Sequence, residues 1–326
     1  MTGVNKSDLD QFKDLGYVVI EGLLDSEKDL FPLADEYSQL VDELAQSWIR
    51  DGTIADYDFG GSFESRLLDL TVGTMGASHQ YLDISLPQNK IGLDTPMHLG
   101  SEAFKFLRNQ NLLDAVEIFI GPEIESNPVQ HIRTKLPEAH IPRSKSLNSN
   151  QYDIRVAPTY WHQDQGVINE EADRSTILTV WVPMMDVNED NGCLAVLPRR
   201  HLNDLAKHCF TPNSKGIPES LVGEEKVPLP MKRGDVLFMT QLTPHSSLPN
   251  LSNGIRWSFD LRYNPTGQPT GRPVFPSFIA RSKLNPENEL RDYRVWADLW
   301  RDARSKIAND QLPKFNRWNP EDPTCA

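Results

Sequence analysis

The segment Trp161-His162-Gln163-Asp164 places an imidazole and a carboxylate two positions apart, directly after an extended run from Asp153 to Pro158. In an extended chain residues i and i+2 point to one face, so His162 and Asp164 can grip one metal ion from the same side. The pair alone carries little weight. With 8 His and 46 acidic residues among 326, chance supplies about one His-x-Asp/Glu, and one is present. An ordinary hydrogen-bonded loop pair explains it equally well unless the chain supplies more ligands.

A second constellation lies on the run Ile255 to Tyr263. Its period of two puts Ile255, Trp257, Phe259, Leu261 and Tyr263 on one face and Arg256, Ser258, Asp260 and Arg262 on the other. If helices cover the apolar face, the polar face looks into a barrel, where a row of charge is costly without a ligand or partner. There Arg256 can hold a carboxylate bidentately with help from the Ser258 hydroxyl. The alternative is an internal ion pair from Arg256 to Asp260 or Asp164. Arg262 lies roughly 20 Å further along a strand, out of reach of anything Arg256 holds, and is read as a stabilising residue. Just upstream, Thr243-Pro244-His245-Ser246-Ser247 supplies a second histidine. Two His and one carboxylate with open positions form the facial triad of non-haem Fe(II) chemistry.

These residues need elements to position them. Ser7 to Leu15 reads as a short helix with Ser7 or Asp8 at its cap, ended by Gly16 and followed by the strand Tyr17 to Ile20. Ser26 to Arg50 carries apolar residues at steps of three and four and is an amphipathic helix. From Asp51 to Asn89 the pattern is irregular apart from a short helix, Glu64 to Leu70, and the region is read as a lid. Ser101 to Phe119 holds one or two helices before Gly121-Pro122. Beyond Pro122 short alternating runs predict strands at 129–136, 153–157, 175–182, 193–197, 235–239 and 255–263, a pattern of a jelly roll or small barrel. Pro286 to Ile307 is a second amphipathic helix across the outside of the sheet, and 309–326 is an irregular tail.

Composition sets the boundaries. The hydrophobic share of 38% and charged share of 24% are ordinary for a globular protein. No run approaches 18 apolar residues, so no membrane partner is expected. A net charge of −13 without a basic cluster disfavours nucleic acid. Three cysteines, Cys193, Cys209 and Cys325, fit neither a disulfide framework nor a zinc site, which suggests a reducing compartment. The polar stretch Met1 to Phe12 lacks an apolar h-region, so the expected location is cytoplasmic. His131, His140, His201 and His208 lack a paired carboxylate and are read as surface or structural. Trp161 and Trp181 are read as packing residues. Arg272 and Arg281 either face a barrel mouth or lie on the surface.

Taken together, His162-Gln163-Asp164, Thr179 to Pro183, Asp190 to Pro198 with His201, Gly234-Asp235, His245-Ser246, and Arg256 with Ser258 eleven residues after His245 resemble the phytanoyl-CoA dioxygenase family of Fe(II)/2-oxoglutarate-dependent oxygenases. The resemblance implies a mainly β core, a cupin-like double-stranded β-helix, with N-terminal and C-terminal helices packed outside the sheet. It implies one domain over 1–326: a helical part to about 122, a jelly-roll core over about 123–283, and a C-terminal helix and tail. By the same resemblance His162, Asp164 and His245 hold Fe(II), and Arg256 and Ser258 hold the 5-carboxylate of 2-oxoglutarate. Lys135 and Gln130 are candidates near the co-substrate or substrate, and Gln163 and Thr179 support the metal or contact the co-substrate. The implied reaction uses O2, converts 2-oxoglutarate to succinate and CO2, and oxidises, typically hydroxylates, a C–H bond of a small molecule. Asp164 argues against halogenation, since related halogenases replace that carboxylate so that chloride can bind. A metal-binding sensor without turnover and a redox-neutral isomerase or epimerase are the competing readings.

Overall fold

The computed structural model describes residues 3–88, 90–141, 156–210, 215–310, 316–319, 321 and 323–325. The first helix, α1 (Lys6–Leu15), starts at Asn5, whose side chain caps the first turn while Asp8 accepts from the Asn5 amide, so the cap lies two positions before Ser7, the nearer of the two expected caps. Gly16 ends it in the left-handed conformation (φ 86°). A Cβ there would strike the His201 ring, so glycine turns the chain into β1 (Tyr17–Ile20). A π-turn, Ser26–Leu30, leads into α2 (Phe31–Arg50), which buries Leu33, Tyr37, Val41 and Ala45 at the predicted spacing.

The helices α3 (Phe63–Gly73), α4 (Ser78–Leu82), α5 (Ser101–Leu107) and α6 (Gln110–Ile120) follow. Next come β2 (Glu123–Ser126), β3 (His131–Lys135), β4 (Leu178–Pro183), β5 (Leu194–Val196), β6 (Cys209–Phe210) and β7 (Lys215–Gly216). The rest are α7 (Glu219–Val222), β8 (Val227–Leu229), β9 (Val236–Thr240), β10 (His245–Ser247), β11 (Arg256–Pro265), β12 (Phe278–Ser282) and α8 (Tyr293–Asn309).

The strands form a seven-stranded antiparallel sheet, β1-β9-β4-β11-β2-β12 with β3 also on β11, and a three-stranded antiparallel sheet, β10-β5-β8. Strand β11 is the axis of the larger sheet. It pairs with β4 along one edge and with β3 and then β2 along the other. The apolar face of β11 is covered by helices: Tyr37 of α2 packs on Trp257 and Phe259, and Phe106 of α5 meets Phe259. A second core lies between the sheets, where Tyr17, Trp181, Leu237 and Met239 meet Leu194, Val196 and Leu229. The opposite face of β11 therefore looks between the two sheets.

Several expectations change. The region read as a lid is partly core: Leu67, Leu70, Leu82, Ile84 and Leu86 are buried, because α3 and α4 bring their apolar faces under α2 and β3. Strands β2, β8, β10 and β12 went unrecognised, being only three to five residues long. Of the strand expected at 153–157, residues 153–155 lie outside the described residues. Helix α8 begins at Tyr293, not Pro286, and rests on α5 through Trp296 and Phe104. Arg281 is largely buried in ion pairs with Asp114 and Glu117, and Arg272 is buried and donates to the Val167 carbonyl. The cysteine reading is corrected: Cys209 and Cys325, 116 residues apart, form a disulfide, and only Cys193 is free among the described residues. Spacing along the chain carries no signal for a bond that joins β6 to the folded-back tail, and the argument for a reducing compartment goes with it. No helix among the described residues is long and apolar enough to cross a membrane.

Candidate metal centre

Two local pairings bring the histidines together. The backbones of His162 and His245 exchange hydrogen bonds of 3.0 and 2.9 Å in an isolated antiparallel bridge, and β10 is itself held by β5. The imidazole rings lie 4.3 Å apart. Asp164 opens a tight turn two residues on, and one ligand atom from each of His162, Asp164 and His245 lies within 4.8 Å of the others. His162 Nδ1 lies 2.8 Å from the Tyr160 carbonyl and His245 Nδ1 lies 3.0 Å from the Thr243 carbonyl. A carbonyl can only accept, so both Nδ1 atoms carry the proton and both Nε2 lone pairs are left for a metal. Burial, then the neighbouring His245, pushes the His162 pKa down to about 3, so this ring is neutral, as a ligand must be.

The carboxylate is fixed just as firmly. Thr179 donates its hydroxyl to Asp164 Oδ2, and Arg262 donates to Oδ1 while holding the Val129 carbonyl at 2.9 Å. Burial alone would raise the Asp164 pKa, but the Arg262 guanidinium bonded to it outweighs that and holds the group far below the carboxylate range. Arg262, read from sequence as a stabilising residue away from the chemistry, therefore contacts the third ligand directly. Each carboxylate oxygen keeps a second acceptor direction for a cation.

Arg256 stands apart from this cluster on the same inner face. It is buried (1% exposed), donates to Ser258 Oγ at 2.7 Å and stacks over Trp181 at 5.6 Å. Its Nε has no hydrogen-bond partner, and no carboxylate among the described residues pairs with it. The internal pairs considered for Arg256 are not made, since Asp164 is taken by Arg262, and Asp260 lies 3.6 Å from Arg133. Burial pushes the Arg256 pKa down to about 10, still charged at neutral pH. Lys135 is its direct cross-strand neighbour, with Nζ bonded to the Ala157 carbonyl. Arg256, a buried charge without a carboxylate among the described residues, calls for an anion.

The remaining candidates divide. Thr179 meets Asp164 as described. The Gln163 side chain donates to the Leu242 carbonyl (2.8 Å) and accepts from the Ala206 backbone amide (2.7 Å), so it braces the turn carrying Asp164. Gln130 lies just before β3 with its oxygen 3.5 Å from Ser126 Oγ, alternating away from the face that carries Lys135. Trp181 is more than packing, being the surface on which Arg256 lies. His208 accepts from the Gln163 amide at 2.9 Å, a structural role. Sequence pattern missed His131 on β3 and Asp83 just after α4, bonded at 2.9 Å, because they are 48 residues apart.

A protein family described as phytanoyl-CoA dioxygenase (PhyH) matches residues 12–258. The 1-deoxypentalenic acid 11-beta-hydroxylase of Streptomyces arenae is 32% identical over 34% of this chain and 42% of its own length. Human peroxisomal phytanoyl-CoA dioxygenase is 26% identical over 48% of this chain and 44% of its own. The matched stretch thus spans less than half of these curated relatives. Among solved structures, the apo non-heme monooxygenase ThoJ superposes with a TM-score of 0.53 at 18% identity, covering 92% of this chain and 96% of that one. The epimerase SnoN, in complex with Fe3+, alpha ketoglutarate and nogalamycin RO, gives 0.50 at 17%, covering 82% and 86%. At such identities these two show a shared fold. The family match covers most of the chain and includes the two histidines, Asp164, Arg256 and Ser258, and on that ground the chain belongs to the phytanoyl-CoA dioxygenase family, whose members use Fe(II), 2-oxoglutarate and O2.

Proposed function

We propose that the protein is a non-haem Fe(II)/2-oxoglutarate-dependent dioxygenase that hydroxylates a C–H bond of a small-molecule metabolite, on a double-stranded β-helix formed by the two facing sheets. The observation that carries this reading is the pairing of a three-ligand cluster with a buried, carboxylate-free Arg256 on the same inner face. A bare metal sensor has no use for the second feature. The residues fit the absent groups. Two Nε2 lone pairs and one carboxylate oxygen suit Fe(II), and the orphaned Arg256 nitrogen suits a carboxylate.

In this reading His162, Asp164 and His245 would hold the iron. Arg256 and Ser258 hold the 5-carboxylate of 2-oxoglutarate, and Lys135 adds positive charge beside it. Trp181 keeps the guanidinium flat and water away. Arg262 and Thr179 keep the Asp164 carboxylate from rotating, and the Tyr160 and Thr243 carbonyls fix both histidine tautomers. When bound, Fe(II) with 2-oxoglutarate and O2 supplies the oxidising power, with succinate and CO2 released. Asp164 occupies the place a halide would need, which favours hydroxylation over halogenation.

The test is succinate release from purified protein given Fe(II), 2-oxoglutarate and O2. Release that depends on all three supports the reading. No release from protein that binds both iron and 2-oxoglutarate would favour the sensor or the redox-neutral enzyme.

A further inference from the structure

The inner face of the larger sheet can be read row by row from its register. Lys135 stands beside Arg256, Arg133 and Pro183 flank Ser258, His131 and Trp181 flank Asp260, and Thr179 stands beside Arg262. Residues directly opposite in an antiparallel pair share a face. Between the Arg256 end and the Arg262 end, the β3 side of the wall therefore carries His131, Arg133 and Asp260. Asp260 Oδ2 lies 3.6 Å from Arg133 Nε, an ion pair too long to be a hydrogen bond.

His131 is held in one orientation. Its Nδ1 is 2.9 Å from Asp83 Oδ2 and 3.0 Å from Ser85 Oγ, and the other Asp83 oxygen accepts from the Ile132 amide at 3.1 Å. Asp83 is 3% exposed, so an ionised carboxylate has been taken out of water to hold this ring. Burial keeps the ring below the usual histidine pKa in spite of Asp83, so it is neutral, its proton sits on Nδ1, and Nε2 is an acceptor. By strand register His131 shares its face of β3 with Arg133 and Lys135, the face that carries Arg256 and Asp260 on β11. Nε2 has no hydrogen-bond partner among the described residues. A histidine with a purely structural duty normally has both nitrogens satisfied.

We propose that His131, oriented by Asp83 and flanked by Asp260, is a substrate-binding residue that accepts a hydrogen bond from a hydroxyl or amine, so that the substrate is a hydroxylated or aminated small molecule and not a hydrocarbon chain. The proposal rests on the function assigned above and names its substrate class. Two acceptors side by side, Nε2 and the Asp260 carboxylate, match a hydrogen-bond donor. An alkyl or terpenoid skeleton against this wall would strip water from Asp260, Arg133 and His131 and replace it with nothing.

The experiment first measures binding of 2-oxoglutarate to the Fe(II)-loaded protein without O2, then the stimulation of succinate release by two probe series. One series holds methyl glycosides and amino sugars, the other monoterpene acids and medium-chain fatty acids. The expected result is stimulation by the first series only, with KM for the best probe raised about tenfold or more in His131→Phe while 2-oxoglutarate affinity stays unchanged. His131→Gln, whose amide oxygen can stand in for Nε2, should recover most of the loss. Should His131→Phe fold poorly, Asp83→Asn keeps the ring but frees its orientation, and is expected to raise the same KM severalfold. Stimulation by the apolar series, silence from the whole hydroxylated series, or an unchanged KM in well-folded His131→Phe overturns the proposal. Absence of 2-oxoglutarate binding in the first step would instead remove the function on which it rests.

Discussion

Replacing Arg256 by Met should act in opposite directions on the empty protein and on its complex. In the empty protein Arg256 is a buried charge with one hydrogen bond, one aromatic neighbour and an unsatisfied Nε. Burial lowers its pKa from the ordinary arginine value to about 10. At ~1.4 kcal/mol per unit, keeping the charge costs the fold about 3 kcal/mol. Losing the Ser258 bond and the Trp181 contact gives back roughly 2 kcal/mol. Arg256→Met should therefore leave the metal-free protein as stable as before or about 1 kcal/mol more stable in urea unfolding. Binding should behave differently, since two charge-assisted hydrogen bonds to a carboxylate are worth roughly 3–5 kcal/mol together, a loss of about 10² to 10⁴ in 2-oxoglutarate affinity. Titration calorimetry on the Fe(II)-loaded, oxygen-free protein measures this directly. Arg262→Met is the contrast: it strands buried Asp164 and should cost the metal-free fold about 3–5 kcal/mol. A destabilisation above about 3 kcal/mol in Arg256→Met, or a change in 2-oxoglutarate affinity below about fivefold, would refute the assignment of Arg256 as an anchor awaiting its anion.

Other consequences can be checked separately. His162→Ala or Asp164→Ala should abolish iron-dependent succinate release while leaving the circular dichroism spectrum unchanged, and full activity in either would remove the metal assignment. Added Fe(II) should raise the unfolding free energy by about 2.7 kcal/mol at a hundredfold excess over Kd, an increment that chelator reverses and His245→Ala lacks. Buried His79, whose pKa burial lowers to about 3, stays neutral in the fold but takes a proton near pH 6.5 when unfolded. The unfolded state binds the extra proton, so this contribution is complete above pH 6.5 and is lost as pH falls toward 3. His79→Gln should reduce proton uptake on unfolding at pH 4.5 by about one, and an unchanged uptake would show that the ring is already charged in the fold. Cys209→Ser opens a 116-residue loop and should cost roughly 2–4 kcal/mol of stability in non-reducing buffer, an effect absent when wild type is compared under reducing conditions.

Much of the site was legible because its signals are local or short in range. The pair His162 and Asp164 is a two-residue spacing, and the Arg256 face is a period-two alternation along one strand that the structure keeps through Pro265. The long helix α2 was equally plain, since twenty residues of regular apolar spacing leave no other solution. Strands of three residues carry too few alternations to be told from loops, which is why β8 and β10 were missed although β10 carries His245. Stretches with weak periodicity were misread as exposed, and Leu82 to Leu86 proved to be core, because burial there comes from α2 and β3 lying over it.

The sequence by itself determined which side chains could serve as ligands, which strand faces both a core and a polar interior, and which family the motifs resemble. Each of those depends on residue type and on separations of a few positions. Only the tertiary structure decided which charges meet. It gave Asp164 to Arg262, left Arg256 without a carboxylate, joined Asp83 to His131 across 48 residues, and closed Cys209 on Cys325. Pairing between distant segments is set by strand register and by how the helices pack, and no spacing along the chain encodes either.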